Sequence, residues 1–202
     1  LLPIYDKPLI FYPLSILMLA KIKDILIIVN KGQLEQYKKI IPNGKNLGIN
    51  ITYKEQESPK GLPDAFILGK KFIGKNNVAL ILGDNFFYGQ YLTKMLTNSS
   101  KLKSGAKIIL HKVFNPELFG VAKMDNNKKI TKIKEKPKKF VSDLAITDFL
   151  GVFINCLNDL TLDFSRSMFF FTDSIISSFS IIFVIKYLLI KNFIAWQKTA
   201  TF

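Results

Sequence analysis

Three short clusters in this chain have residue types and spacing that could do chemistry. Leu82-Gly83-Asp84-Asn85 follows directly on the apolar run Val78-Ala79-Leu80-Ile81-Leu82. In an open α/β sheet, ligands bind beyond the carboxyl ends of the strands. A carboxylate there can hold Mg²⁺, a hard cation that prefers oxygen and bridges phosphates. A plain Gly-Asp turn accounts for the same residues equally well. The second cluster is Gln56-Glu57-Ser58-Pro59-Lys60-Gly61-Leu62, a loop between an alternating segment and a helical pattern. Gly61 permits close backbone approach to a flat ligand, and the Gln56 amide can pair with a base edge. An ordinary Ser-Pro/Gly loop is the alternative. The third is Lys134-Glu135-Lys136-Pro137, where a carboxylate beside an ammonium could bind sugar hydroxyls and a phosphate together. Its alternative is an exposed, charged strand end.

The elements that must position these clusters follow from hydrophobic pattern. Residues 25–29 and 78–82 are short continuous apolar runs, the signature of strands covered on both faces. Residues 49–54 alternate like a strand. Helical patterns occupy 12–20, with Pro13 in the first turn, 33–41, stopped by Pro42-Asn43-Gly44, and 63–73, closed by Gly74. This alternation predicts an α/β fold: an open Rossmann-like, mostly parallel sheet with helices on both faces. Residues 107–113 read as a further strand. Residues 120–124 and 129–134 flank the turn signal Asp125-Asn126-Asn127 and read as a β-hairpin insertion. Beyond about residue 148 the pattern degrades. The stretch 174–190 is apolar but short of a membrane span and broken by four serines and Lys186, so no membrane association is expected.

Composition narrows the function classes. The 202 residues suffice for one domain with a core, and 49% hydrophobic content excludes a disordered chain. The net charge is +14, yet Arg166 is the one arginine among 29 basic residues. Groove readers rely on arginine for bidentate contacts, and these lysines are scattered, so no nucleic-acid partner is expected. Cys156 and His111 are each the single residue of their type. That rules out an intrachain disulfide and gives no support to a histidine metal site or a Ser-His-Asp triad. His111 reads as structural and Cys156 as a small buried residue. The opening residues do not form a charged n-region, so no signal peptide is read there, and the first residue is not Met, which points to an incomplete N-terminus.

The motifs then join up. Residues 1–15, Leu-Leu-Pro-Ile-Tyr-Asp-Lys-Pro-Leu-Ile-Phe-Tyr-Pro-Leu-Ser, resemble the segment after the glycine-rich loop of the sugar-1-phosphate nucleotidyltransferase family, specifically its glucose-1-phosphate thymidylyltransferase branch. Residues 53–66 resemble that family's base-binding loop, and 82–89 its metal-binding strand end. Asn115-Pro116-Glu117-Leu118-Phe119-Gly120-Val121 and Glu135-Lys136-Pro137 follow in the family's order. The resemblance implies a cytoplasmic, Mg²⁺-dependent enzyme. It would join dTTP and glucose 1-phosphate into dTDP-glucose with release of pyrophosphate, serving dTDP-rhamnose and cell-surface polysaccharide synthesis. It implies Asp84 and Lys136 as catalytic residues, with Asp84 the metal ligand and Lys136 on the sugar phosphate. Gln56, Pro59, Gly61 and Leu62 would line the thymine, and Gly120, Glu135 and Ile146 the sugar. Family members are homo-oligomers.

The departures carry their own expectations. The family's opening strand and Gly-x-Gly-Thr-Arg loop have no counterpart in the sequence. Residues 1–147 are therefore expected to form the nucleotidyltransferase core without those parts, and 148–202 a degraded continuation of the same domain. Residues 166–173, Arg-Ser-Met-Phe-Phe-Phe-Thr-Asp, match the frame of a family motif whose acidic residues are replaced. In Ala195-Trp196-Gln197-Lys198-Thr199-Ala200-Thr201, Lys198 stands where the family has a second aspartate ligand. An ammonium repels a cation. Weak or absent turnover is expected, and two alternatives stay open: a non-catalytic nucleotide or sugar-phosphate binding remnant, and an interaction protein that uses the apolar C-terminal part.

Overall fold

The computed structural model describes residues 3–58, 60, 62–85, 87–99, 105–153 and 181–187. A two-stranded ribbon, β1 (Pro3–Ile4) with β2 (Lys7–Pro8), precedes helix α1 (Phe11–Leu19). Pro13 sits in the first turn of α1, where backbone N–H groups have no intrahelical acceptor and the missing donor costs nothing. The helix stops on Lys21, whose φ is 60°. The Lys21 N–H donates to the Met18 carbonyl and the Ile22 N–H to the Leu17 carbonyl, the two bonds of a left-handed C-terminal cap.

The chain then alternates β3 (Asp24–Asn30), α2 (Leu34–Ile40), β4 (Asn50–Gln56), α3 (Leu62–Ile73) and β5 (Asn77–Leu82). The continuous apolar runs are explained by what covers them. Ile25, Ile27, Val29, Ala79 and Ile81 face a cluster with Leu14 and Leu17 of α1, Tyr37 of α2, and Leu96 of helix α4 (Leu92–Ser99). Leu26, Ile28, Leu80 and Leu82 face the other way, against Ala65, Phe66 and Ile73 of α3. Burying one such aliphatic side chain contributes about 1.5–3 kcal/mol, so both faces reward an apolar residue. β4 lies at the edge of the sheet; its first five residues alternate between exposed and half-buried, and its last, Gln56, is buried.

The later strands are β6 (Lys107–Lys112), β7 (Gly120–Met124), β8 (Ile130–Glu135), β9 (Leu144–Phe153) and β10 (Ile181–Tyr187). The sheet order is β4-β3-β10-β5-β9-β7-β8, with β6 paired to β9. β3 and β4 pair in parallel, Asn30 opposite Gln56. β10 runs antiparallel to both β3 and β5, so β3, β4 and β5 point the same way. The α/β class with helices on both faces is as expected from the sequence. Hydrogen-bonded parallel pairing, however, is confined among the described strands to β3 with β4. The expected division after residue 147 falls within β9, and β10 lies inside the same sheet. The rest of 148–202, including 166–173 and Lys198, lies outside the described residues. No helix among the described residues is long and apolar enough to cross a membrane.

Candidate functional site

Because β3, β4 and β5 share one direction, their carboxyl ends lie along one side of the sheet. Gln56 is the last residue of β4. It is 2% exposed, and its Nε2 donates to Asn30 Oδ1 at 2.8 Å, while its Oε1 is buried without a hydrogen-bond partner. The backbone around it is tied down. The Lys31 N–H donates to the Gln56 carbonyl at 3.0 Å, and the Gly32 N–H to Glu55 Oε1 at 2.9 Å. Gly32 adopts φ 81°, a left-handed turn that favours glycine. Leu62, half-buried, opens α3, while Pro59 and Gly61 lie outside the described residues.

Asp84 sits two residues past the end of β5. The Asn85 N–H donates to the Leu82 carbonyl at 3.2 Å, which folds the chain back at the strand end. Asp84 Oδ1 and Asn85 Nδ2 are buried without partners. Burial raises the Asp84 carboxyl above its ordinary value, against a smaller lowering by a backbone hydrogen bond. A buried carboxylate oxygen with no donor suits a hard cation, which accepts oxygen ligands that a hydrogen bond would otherwise occupy. Among the described residues no group of three or more His, Cys, Asp or Glu could hold a metal.

The third cluster is brought in by strand pairing. Gly120 of β7 lies directly opposite Glu135 of β8. Both carboxylate oxygens of Glu135 are buried without partners. Burial raises its carboxyl, and the neighbouring Lys136 charge pulls the other way. Lys136 leaves the strand with φ 38°, and its N–H donates to the Phe119 carbonyl at 3.0 Å. That bond and the Gly120–Glu135 pair lock the start of β7 to the end of β8.

Strand β9 links this hairpin to Asp84. Leu150 pairs with Leu80 of β5 and Ile108 of β6, and Ala145 pairs with Val121 of β7 and His111 of β6. β6 takes one edge of β9, so β5 and β7 follow one another along its other edge. The outgoing end of β5 and the start of β7 thus meet at the level of Ile146, half-buried and next to Ala145. His111 is exposed in β6. Gln56, Asp84, Asn85 and Glu135 all hold unpaired buried polar atoms at strand ends. Gln33 Oε1 and Asn77 Nδ2, the latter at the opposite end of β5, are buried without partners as well. Spacing alone singled out neither Asn30 nor Asn85. The Asn30–Gln56 pair depends on parallel register, which no local pattern encodes.

A separate cavity of about 460 Å³ lies between α4 and β6, lined in part by Tyr91, Lys94, Met95, Lys107 and Ile109. None of the residues assigned above lines it.

The sheet flanked by helices, with candidate ligand-binding residues at the carboxyl ends of its strands, is the arrangement of an α/β protein that binds ligands at those ends. The nucleotidyl transferase family model matches residues 1–174, and the chain belongs to that family. It is 48% identical over 147 residues to the glucose-1-phosphate thymidylyltransferase of Neisseria meningitidis, covering 73% of this chain and 51% of the relative. It is 38% identical over 168 residues to the Mycolicibacterium smegmatis enzyme of that name, covering 83% and 56%. The chain spans about half the length of these curated relatives. Among solved structures it resembles a candidate glucose-1-phosphate thymidylyltransferase from Bacillus anthracis in complex with sucrose. There the TM-score is 0.73 at 31% identity, over 83% of this chain and 68% of that one.

Proposed function

We propose that the chain binds dTTP and glucose 1-phosphate at these strand ends and belongs to an enzyme that joins them into dTDP-glucose with release of pyrophosphate. The observation that carries this reading is the set of unpaired buried polar atoms on Gln56, Asp84 and Glu135, in a chain of the nucleotidyl transferase family. Gln56 and Leu62, with Pro59 and Gly61, would hold the base. Glu135, Gly120 and Ile146 would hold the glucose, the Glu135 carboxylate accepting from sugar hydroxyls. Lys136 would bind the sugar phosphate and fix its oxygen for in-line attack on the α-phosphorus. Asp84 would hold Mg²⁺, which when bound neutralises phosphate charge. Such chemistry needs positioning and electrostatic stabilisation more than a covalent protein group. The reading places the protein in the cytoplasm with the synthesis of dTDP-sugars such as dTDP-rhamnose.

By its resemblance to the family's motif, Lys198 would take the position of a second acidic ligand, and we infer that it weakens metal binding and slows turnover in this chain. Pyrophosphate release with Mg²⁺, dTTP and glucose 1-phosphate is expected below about 1 s⁻¹, the low end of ordinary enzymes. Binding is the more direct test. Calorimetric titration with dTDP-glucose is expected to show a Mg²⁺-dependent affinity that Asp84→Asn lowers by at least about tenfold. Equal affinity in wild type and variant at saturating Mg²⁺ would overturn the assignment of Asp84.

A further inference from the structure

We infer that two loops at one end of the sheet, residues 113–119 and 136–143, form a surface that docks on the face of an anionic lipid bilayer. Phe114, Leu118 and Phe140 enter the interface, and Lys138 and Lys139 meet the lipid phosphates. None of these five residues is assigned to the nucleotide site, so the inference does not depend on that reading.

Strand pairing brings the loops together. Lys112 of β6 pairs with Leu144 of β9, and Gly120 of β7 with Glu135 of β8. The Val113 N–H donates to the Asp143 carbonyl at 2.9 Å, and the Lys136 N–H to the Phe119 carbonyl at 3.0 Å. Each loop is thus tied to the other at both ends. Between the ties stand large apolar side chains turned to solvent: Phe114 is 103% exposed, Phe140 77% and Leu118 58%. Single exposed apolar residues are ordinary, but a cluster of them marks a contact surface.

Charge points to the partner. Lys138 and Lys139 directly precede Phe140 and are exposed. The acidic residues of the two loops are Glu117 and Asp143, and Asp143 already pairs with Lys112 at 3.2 Å. The whole chain carries +14, which opposes a second copy and favours an anionic partner. Side chains this exposed line no groove for a shaped ligand. A bilayer interface deforms around them, taking the phenyl rings and the leucine at the boundary of headgroups and acyl chains while lysines reach the phosphates. The expectation of no membrane association concerned a spanning segment, and surface contact needs none.

The test is co-sedimentation of the 202-residue chain with vesicles of phosphatidylglycerol and phosphatidylcholine, and of phosphatidylcholine alone, in about 0.15 M salt. Wild type is expected to partition onto the anionic vesicles about tenfold more strongly or better. Phe114→Ser with Phe140→Ser, and separately Lys138→Glu with Lys139→Glu, are each expected to lower that partitioning by about tenfold or more. Lys70→Glu with Lys71→Glu makes the same change of charge in α3 and is expected to lower it by less than about threefold. Circular dichroism confirms structure in each, and Phe140→Ser alone, with an expected loss of about threefold or more, serves if the double phenylalanine variant fails to fold. Equal losses from the two lysine pairs, or full binding by the phenylalanine variant, would reduce the effect to diffuse charge and overturn the inference, as would no binding by wild type. A wild-type dimer in sedimentation velocity that the phenylalanine variant dissolves would assign the surface to a second copy and likewise overturn it.

Discussion

A carboxylate oxygen buried without a donor weakens the fold that holds it. Burial raises the carboxyls of Asp84 and Glu135 above their ordinary values, so the folded chain keeps their protons where the unfolded chain has released them. The stability they contribute is therefore greatest in acid. It falls as pH rises from the ordinary carboxylate range through the raised folded values. Asp84→Asn with Glu135→Gln removes that loss and is expected to stabilise the chain at pH 7, solvent screening keeping the gain small. Urea unfolding between pH 4 and 8 would show a flatter stability profile in the double variant, and an unchanged slope would contradict the account. Asp84 was legible in the sequence because it follows a six-residue strand that is buried throughout. Glu135 and Lys136 were legible through their resemblance to a family motif, since a charged pair at a strand end has no distinctive spacing. Asn30 was not legible, because its pairing with Gln56 exists only across the β3–β4 register.

The β7–β8 hairpin, which presents Gly120 and Glu135, is set by its turn. Asp125 Oδ1 accepts from the backbone N–H groups of Asn127 and Lys129 at 2.9 and 2.8 Å, and Lys128 takes φ 61°. Asp125→Ala is expected to cost about 1–2 kcal/mol through these two bonds and to speed amide exchange in residues 130–135. Lys128→Gly, placed in a conformation that glycine adopts freely, is expected to recover about 0.5–1 kcal/mol. Exchange rates unaffected by Asp125→Ala would show that the turn does not hold the hairpin. Asp125-Asn126-Asn127 announced this turn from composition alone, and the boundaries of β3, β5 and α3 followed closely from their apolar periods. α4 and β9 were not read. Residues 92–99 form a weakly apolar helix whose burial rests on Leu96 and Ser99, and β9 draws its definition from three neighbouring strands rather than from its own alternation. The stretch 181–187, part of an apolar run too short for a membrane span, is a strand between β3 and β5.

For the whole molecule, the fold class came from strand–helix alternation, while the assembly of the site came from topology. Two strands consecutive along one edge of β9 bring Asp84 and Gly120, distant in sequence, to the level of Ile146. The role proposed for Lys198 is testable by restoring a carboxylate. Lys198→Asp is expected to tighten Mg²⁺ binding in the presence of dTDP-glucose by about tenfold or more, and an unchanged Mg²⁺ midpoint would remove Lys198 from the account. In the proposed function, the ends of β4, β5, β7 and β8 form one site for a nucleoside-diphosphate sugar. A crystal structure of the 202-residue chain with dTDP-glucose and Mg²⁺ tests it most directly. The thymine is expected against Gln56, the diphosphate beside Asp84, and the glucose between Gly120 and Glu135. Ligand density in the cavity between α4 and β6, with Gln56, Asp84 and Glu135 untouched, would contradict it.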